Sequence, residues 1–450
     1  DNGTFLSPRN LIADETTNWS FEIGGDGFEA IAHHTDPNKL IGGSQGNNFY
    51  RSTNGGASWS YAQYGLEGAD PFITRLSSPA QDPDVLYAVT NFGVMKSNDF
   101  GESWQAKQVE GNWNSSFWSG TDVEVSLANP RYVWAGSSMS FAGNISLSKD
   151  WGETYESVPN FSSLGRTSGI YSHPTEDSTA YVLFGMPGAA KVLQTRDLGE
   201  TWEDLSGFTN STDGKSLNGF PDVPVYSFLV MPHDKDIMWA GTEVGLIEST
   251  DGGASWHLVE SNLPYVTIWD LKLKDEGQIV IATHGRGVWT ATIDDLKSYE
   301  PKPAILPPFI LSAYQLDSED SYVISTNINT KSSYDSLVIK ANNVKRDVFQ
   351  NVDKSDSTNF VFEVDDKGDY TIQAFGYKDG LEYPSNEYDI ILNPTLQPRT
   401  EYSTTFSDLV GDEFGLDRFR IGIQGGFEGR QLHTEPVSYT HLRAHETEAD

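Results

Sequence analysis

Apolar and polar residues alternate with a period of two along many short stretches of this 450-residue chain. Five of these stretches correspond to one another: "FEAIAHHTDPNKLIGG", "FITRLSSPAQDPDVLYAV", "VEVSLANPRYVWAG", "IYSHPTEDSTAYVLF" and "YSFLVMPHDKDIMWAG". Each reads as a short alternating strand, a polar turn containing Pro, and a second strand rich in Val, Ile, Tyr or Trp. No stretch sustains an apolar period of 3.6 residues over a dozen positions, which argues against helices. A sixth unit, "IWDLKLKDEGQIVIATHGRGVWTA", keeps the same opening.

After each of the first five units comes a recurring phrase: "RSTNGGASW", "KSNDFGESW", "LSKDWGETY", "QTRDLGETW" and "ESTDGGASW". The hydroxyl of the phrase is Ser52, Ser97, Ser148, Thr195 or Ser249, and the steps between them are 45, 51, 47 and 54 residues. The amide or carboxylate is Asn54, Asp99, Asp150, Asp197 or Asp251, followed by Gly56, Gly101, Gly152, Gly199 or Gly253. The phrase closes on Trp59, Trp104, Tyr155, Trp202 or Trp256. Hydroxyl and carboxylate can bond the backbone N–H groups of a tight turn, the Gly tolerates a positive φ, and the aromatic ring returns to an apolar layer. The phrase is therefore a self-locking hairpin tip, structural in role and placed away from any ligand. With it, each unit of about 50 residues holds four short strands, the content of a propeller blade.

These phrases resemble the Asp-box, or BNR, repeat, and residues 1–297 resemble the propellers that carry it. Among them are sialidases, xyloglucanase-type glycosidases, sortilin-like receptors and photosystem assembly factors. The resemblance implies an all-β fold, a β-propeller of six to seven blades. Its first residues, "DNGTFLSP", read as the latter half of an incomplete blade. Large secreted bacterial proteins described as glycosyl-hydrolase-like or sortilin-like share this build.

Residues 298–308, with four prolines, read as a stiff linker. Six strand-length segments follow within 309–393, which predicts an immunoglobulin-like or fibronectin-III-like β-sandwich with few contacts to the propeller. Residues 394–435 read as a linker and the start of a truncated β-domain. Residues 436–450 differ in composition from all that precedes them, and Val437–Thr447 resembles a translated sequencing adaptor, so His441 and His445 are set aside as ligands.

Composition narrows the function classes. Asp and Glu number 64 against 30 Lys and Arg, a net charge of −34, which argues against a nucleic-acid partner. There is no cysteine, hence neither a disulfide framework nor thiol chemistry, and no apolar run has the length of a membrane span. No nucleophile elbow or zinc-binding helix motif is present. The adjacent His33 and His34 point to opposite faces of a strand and do not suit one shared metal.

Carboxylates are the stronger candidates. Asp26, Asp70, Asp122 and Asp222 each stand just before an innermost strand, where equivalent loops converge on one mouth of a propeller channel. A ring of uncompensated carboxylates there would suit a glycosidase pair or a divalent cation; the plainer reading is an Asx turn opening each strand. Trp113 and Trp118 lie in a Gly/Ser/Asn loop suited to stacking on sugar rings. His284 and Arg286, set between glycines, fall near the channel. A sialidase needs three arginines around its substrate; only Arg9, Arg75, Arg166 and Arg286 are left outside the hairpin turns, and no segment of the sialidase type carries them. Three function classes follow: a secreted or surface propeller binding glycan or protein ligands at its funnel, a xyloglucanase-like glycoside hydrolase, and a sortilin-like peptide receptor. The lack of a recognisable catalytic set favours the first, with no cofactor required.

Overall fold

The computed structural model describes residues 3–8, 16–68, 71–111, 113, 120–137, 143–165, 167–274, 277–316 and 322–392. The segments 394–435 and 436–450 therefore lie outside the described residues. The alternating stretches form the strands they predict. The first blade is Ala30–Ala32, Leu40–Ser44, Asn48–Ser52 and Ser60–Tyr61, and four further four-stranded antiparallel sheets follow it in the same order. The sixth blade has three strands, Ile268–Lys274, Gln278–Thr283 and Val288–Thr292. Thr4–Leu6 and Ser20–Ile23 pair as a two-stranded sheet beside the first blade. The molecule is a β-propeller with, among the described residues, six blades and this additional strand pair.

The second strands of the second to fifth blades are buried along their whole length, as in Ala180–Phe184 and Met238–Thr242, because a blade packs on both faces. The core accordingly lies between blades. Ile41 and Phe49 of the first blade meet Leu86 and Met95 of the second, and Tyr181 and Leu183 of the fourth meet Phe228 and Ile247 of the fifth. Each fully buried side chain of this kind is worth roughly 1.5–3 kcal/mol relative to exposure. The phrases add directional ties. Trp104 donates its indole N–H to Ala62 O at 2.8 Å, and Trp256 to Leu205 O at 3.0 Å, each across to the preceding blade. Trp104, Tyr155 and Trp256 are buried, whereas Trp59 and Trp202 are half-buried.

Within each phrase the same bonds recur. Ser97 Oγ donates to Asp99 Oδ1 at 2.8 Å and accepts from Gly101 N at 2.8 Å, while Asp99 Oδ1 accepts from Ser103 N at 2.9 Å. Ser249, Asp251, Gly253 and Ser255 repeat the arrangement with bonds of 2.8 Å. The residue before each Gly also donates its N–H to the first hairpin turn of its own blade: Gly55 to Asn38 O, Phe100 to Asp84 O, Trp151 to Arg131 O, Leu198 to Ser178 O and Gly252 to Asp236 O. The phrases and the first hairpin turns therefore share one face of the propeller. On the opposite face, the segments leading into the innermost strands meet the second hairpin turns: Asp26 N donates to Gln45 Oε1, Glu243 N to Pro224 O and His284 N to Thr267 O.

After the linker, seven strands form two antiparallel sheets. One holds Phe309–Leu316, Tyr322–Thr330 and Ser355–Val364; the other holds Val344–Val352, Tyr334–Ala341, Gly368–Lys378 and Leu381–Leu392. Ile324, Ile328 and Phe362 of the first sheet share one apolar cluster with Leu337, Ile339 and Ile372 of the second. This sandwich is not free of the propeller. Lys331 Nζ binds both carboxylate oxygens of Asp82 at 2.8 and 2.6 Å, and Trp151 joins the sandwich cluster. These ties are few and gather at one place, and nothing in the alternation marks their residues for docking.

Candidate functional site at the channel mouth

The innermost strands bring polar side chains from five blades into one cluster. Glu29 stands beside Ala30–Ala32, Arg75 beside Leu76–Ser77, Asp122 and Glu124 lie on Asp122–Val125, Tyr171 on Thr167–Ser172, and Asp270 and Lys272 on Ile268–Lys274. Lys272 Nζ reaches Glu29 Oε1 at 3.1 Å and Asp270 Oδ2 at 3.8 Å. Arg75 reaches Glu29 Oε2 at 3.5 Å and Asp122 Oδ1 at 3.8 Å. Asp122 also accepts from Ile170 N at 2.7 Å and Val123 N at 3.0 Å. Glu124 Oε1 accepts from Ser172 Oγ at 2.7 Å and Ser172 N at 3.1 Å.

This mixture separates the carboxyl groups. Burial works to raise Glu29, but Lys272 and Arg75 outweigh it and hold the group below its ordinary value. Burial pushes Asp122 and Asp270 up despite their cationic neighbours. Glu124 is raised furthest, to about 7, again chiefly by burial, with the Ser172 bond opposing. Lys272 is held well above its usual value, first by Asp270 and then by Glu29. Adjacent acids with such different proton affinities are the arrangement from which a proton donor and an ionised partner are made. Asp122 and Glu124, two residues apart on one strand, face the same way with Cα atoms roughly 7 Å apart.

Next to Asp270 on the same strand begins an aromatic group. Trp269 packs on Tyr226 with ring centroids 4.4 Å apart and donates its indole N–H to His284 Nδ1 at 3.1 Å. Trp269 is 48% exposed. Tyr171 Oη donates to Tyr226 O at 3.0 Å, tying this group to the fourth blade.

The predicted ring of four carboxylates is not what the structure places here. Asp122 joins the network, but Arg75 and two backbone N–H groups satisfy it. Asp222 is matched by Lys191 Nζ at 2.6 Å and Gly188 N at 2.9 Å, so a compensating lysine does stand beside it, and the Lys191 bond holds its carboxyl below the ordinary value. The lysine lies some thirty residues earlier in the chain, out of reach of local sequence reading. Asp26 is half-buried at the mouth, and Asp70 lies outside the described residues. Trp113 is half-buried, donates its indole N–H to Thr90 O at 2.9 Å and packs against the core between the second and third blades, which limits its use for stacking. Trp118, Arg9 and Arg166 lie outside the described residues. Arg75, one of the arginines outside the hairpin turns, is paired with Glu29 and Asp122. His284 donates its backbone N–H to Thr267 O at the mouth, and Arg286 is exposed on the same turn, its carbonyl accepting from Trp289 Nε1 at 3.0 Å. His33 is buried, its Nδ1 accepting from Asp36 N at 2.9 Å, which is a turn lock.

Glu29, Glu124, Trp269, Asp270 and Lys272 were missed. Their signal was present as charged residues breaking the apolar alternation of inner strands, in "FEAI", "VEVS" and "WDLKLK". Among the described residues, no group of three or more His, Cys, Asp or Glu is placed to hold a metal ion.

No family model matches the chain. It is 27% identical over 228 residues to the oligoxyloglucan-reducing end-specific xyloglucanase of Emericella nidulans, covering 45% of this chain and 28% of that relative. The chain thus spans less than a third of the relative's own length. Among solved structures it is similar to YCF48 bound to D1 peptide, at 12% identity and a TM-score of 0.42, covering 76% of this chain and 94% of that one. It is similar also to an ancestral GH74 enzyme, at 12% identity and a TM-score of 0.43, covering 82% and 62% respectively.

Proposed function

We propose that the protein is a carbohydrate-recognising Asp-box propeller, secreted or carried at a cell surface, whose ligand lies over Trp269 at the channel mouth. The observation that carries this reading is the half-exposed indole, braced by Tyr226 and His284 and next along its strand to Asp270 of the carboxylate and cation cluster. An aromatic face stacks on the C–H face of a pyranose, and nearby charged groups accept and donate bonds to its hydroxyls. The partial likeness to a xyloglucanase supports a β-glucan class of ligand. The division into a propeller at 1–297, a linker at 298–308 and an immunoglobulin-like sandwich at 309–393 belongs to the same proposal.

A second reading, glycoside hydrolysis, is favoured by one observation: Glu124, raised to about 7, faces the same way as Asp122. Calorimetric titration with xyloglucan, cello-, xylo- and chito-oligosaccharides tests the binding reading. Binding by the wild type that falls at least tenfold in Trp269→Ala is expected. A wild type that binds none of them, or a variant that binds equally well, overturns it. Release of new reducing ends, abolished in Glu124→Gln with binding retained, would establish the second reading.

A further inference from the structure

In all five phrases the residue before the glycine has a left-handed backbone: Gly55 at φ 67°, Phe100 at 54°, Trp151 at 59°, Leu198 at 57° and Gly252 at 70°. A side chain disfavours that conformation, so the three bulky residues are held there by what they touch. Phe100 is buried and meets His33 of the first blade edge-on, with ring centroids 5.1 Å apart. Leu198 packs into the cluster between the third and fourth blades.

Trp151 instead leaves the propeller. It is 5% exposed, belongs to the apolar cluster of the sandwich, and lies 5.3 Å from the Tyr383 ring; the Arg131 guanidinium stands 5.2 Å from its own ring. Nearby, the Lys331–Asp82 pair is largely shielded, with both side chains 14% exposed, and Gln81 Nε2 donates to Lys302 O at 3.3 Å in the linker. Tyr334 Oη donates to Leu306 O at 2.6 Å, fixing the linker's end to the sandwich. Asp82 and Arg131 belong to first hairpin turns, so the docking lies on the phrase face and leaves the channel mouth uncovered on the other.

We infer that Trp151 pins the sandwich to the back of the propeller, so that the two unfold as one unit and the mouth is held facing away from the sandwich. Glycine at position 151 is compatible with the turn, since two other phrases use it, and this makes Trp151→Gly a selective test in the full chain. Calorimetry of the wild type should show one unfolding transition, and proteinase K should cut Ser298–Pro308 slowly. Trp151→Gly should split the transition and speed that cut at least tenfold, whereas Leu198→Gly, the same change in a phrase facing only the propeller, should leave the cut slow. Lys331→Asp should also speed the cut, and adding Asp82→Lys should slow it again, so the ion pair keeps the test open should Trp151→Gly not fold. Two separate transitions in the wild type, or an unchanged cut in both Trp151→Gly and Lys331→Asp, would overturn the inference.

Discussion

At the scale of single residues, the phrase works because one carboxylate and one hydroxyl satisfy several donors in a turn too tight for backbone pairing alone. Asp99 receives Ser97 Oγ–H, Ser103 N–H and Ser103 Oγ–H, the last at 2.5 Å to Oδ2. Its replacement by Ala should lower stability by about 1–2 kcal/mol, read by urea unfolding, with no change in ligand affinity, because the turn lies on the face away from the mouth. The partner hydroxyl at Ser103, Thr154, Thr201 or Ser255 was not in the recognised pattern, although it recurs in the sequence at a fixed step from each Asp. Glu124 behaves oppositely to a salt-bridged acid. Its folded value, about 7, lies above the ordinary 4.5, so the folded state holds its proton longer than the unfolded chain does. Its contribution is therefore fully present below the ordinary value and is lost as pH rises towards 7. Glu124→Gln should remove that loss, giving a gain over wild type on the order of 2 kcal/mol at pH 8 and little difference at pH 4, read as Tm against pH.

At the scale of elements, a blade is legible because its strands are short, alternating or wholly apolar, and punctuated by turn residues. The five four-stranded sheets stand where the repeats place them, and six of the seven sandwich strands were visible as apolar runs. The seventh, Val344–Val352, reads "VKRDVFQNV", and its charged residues hide it because it lies at the sheet's edge and exposes much of both faces. The site was less legible. Which inner-strand residues meet is fixed by the circular arrangement of blades, so Glu29 and Lys272, 243 residues apart, become partners with no local trace. Arg75 shows what these cross-blade ties are worth. Arg75→Ala would leave Glu29 with Lys272 alone and Asp122 with only its two backbone N–H donors, at a cost of about 2 kcal/mol in a thermal or urea melt, and Arg75→Lys should recover only part of it.

At the scale of the whole molecule, the propeller has two unlike faces. One carries the hairpin phrases and the sandwich; the other carries the channel mouth, with Trp269, Tyr226 and His284, and a network of four carboxyl groups and two cations on the inner strands. A strongly acidic chain of net charge −34 keeps such a molecule solvated, while at the mouth Arg75 and Lys272 offset part of the charge of the four carboxyl groups. That partial balance suits a neutral, hydroxyl-rich ligand better than a polyanion. The most direct test of this account is hydroxyl-radical footprinting of the full chain with and without a saturating xyloglucan oligosaccharide. The account predicts protection of Trp269, Tyr226 and His284 on the mouth face, with Tyr61 and Tyr64 on the outer side of the first blade labelled equally in both states. Unchanged labelling at Trp269 together with protection confined to any other surface would contradict it.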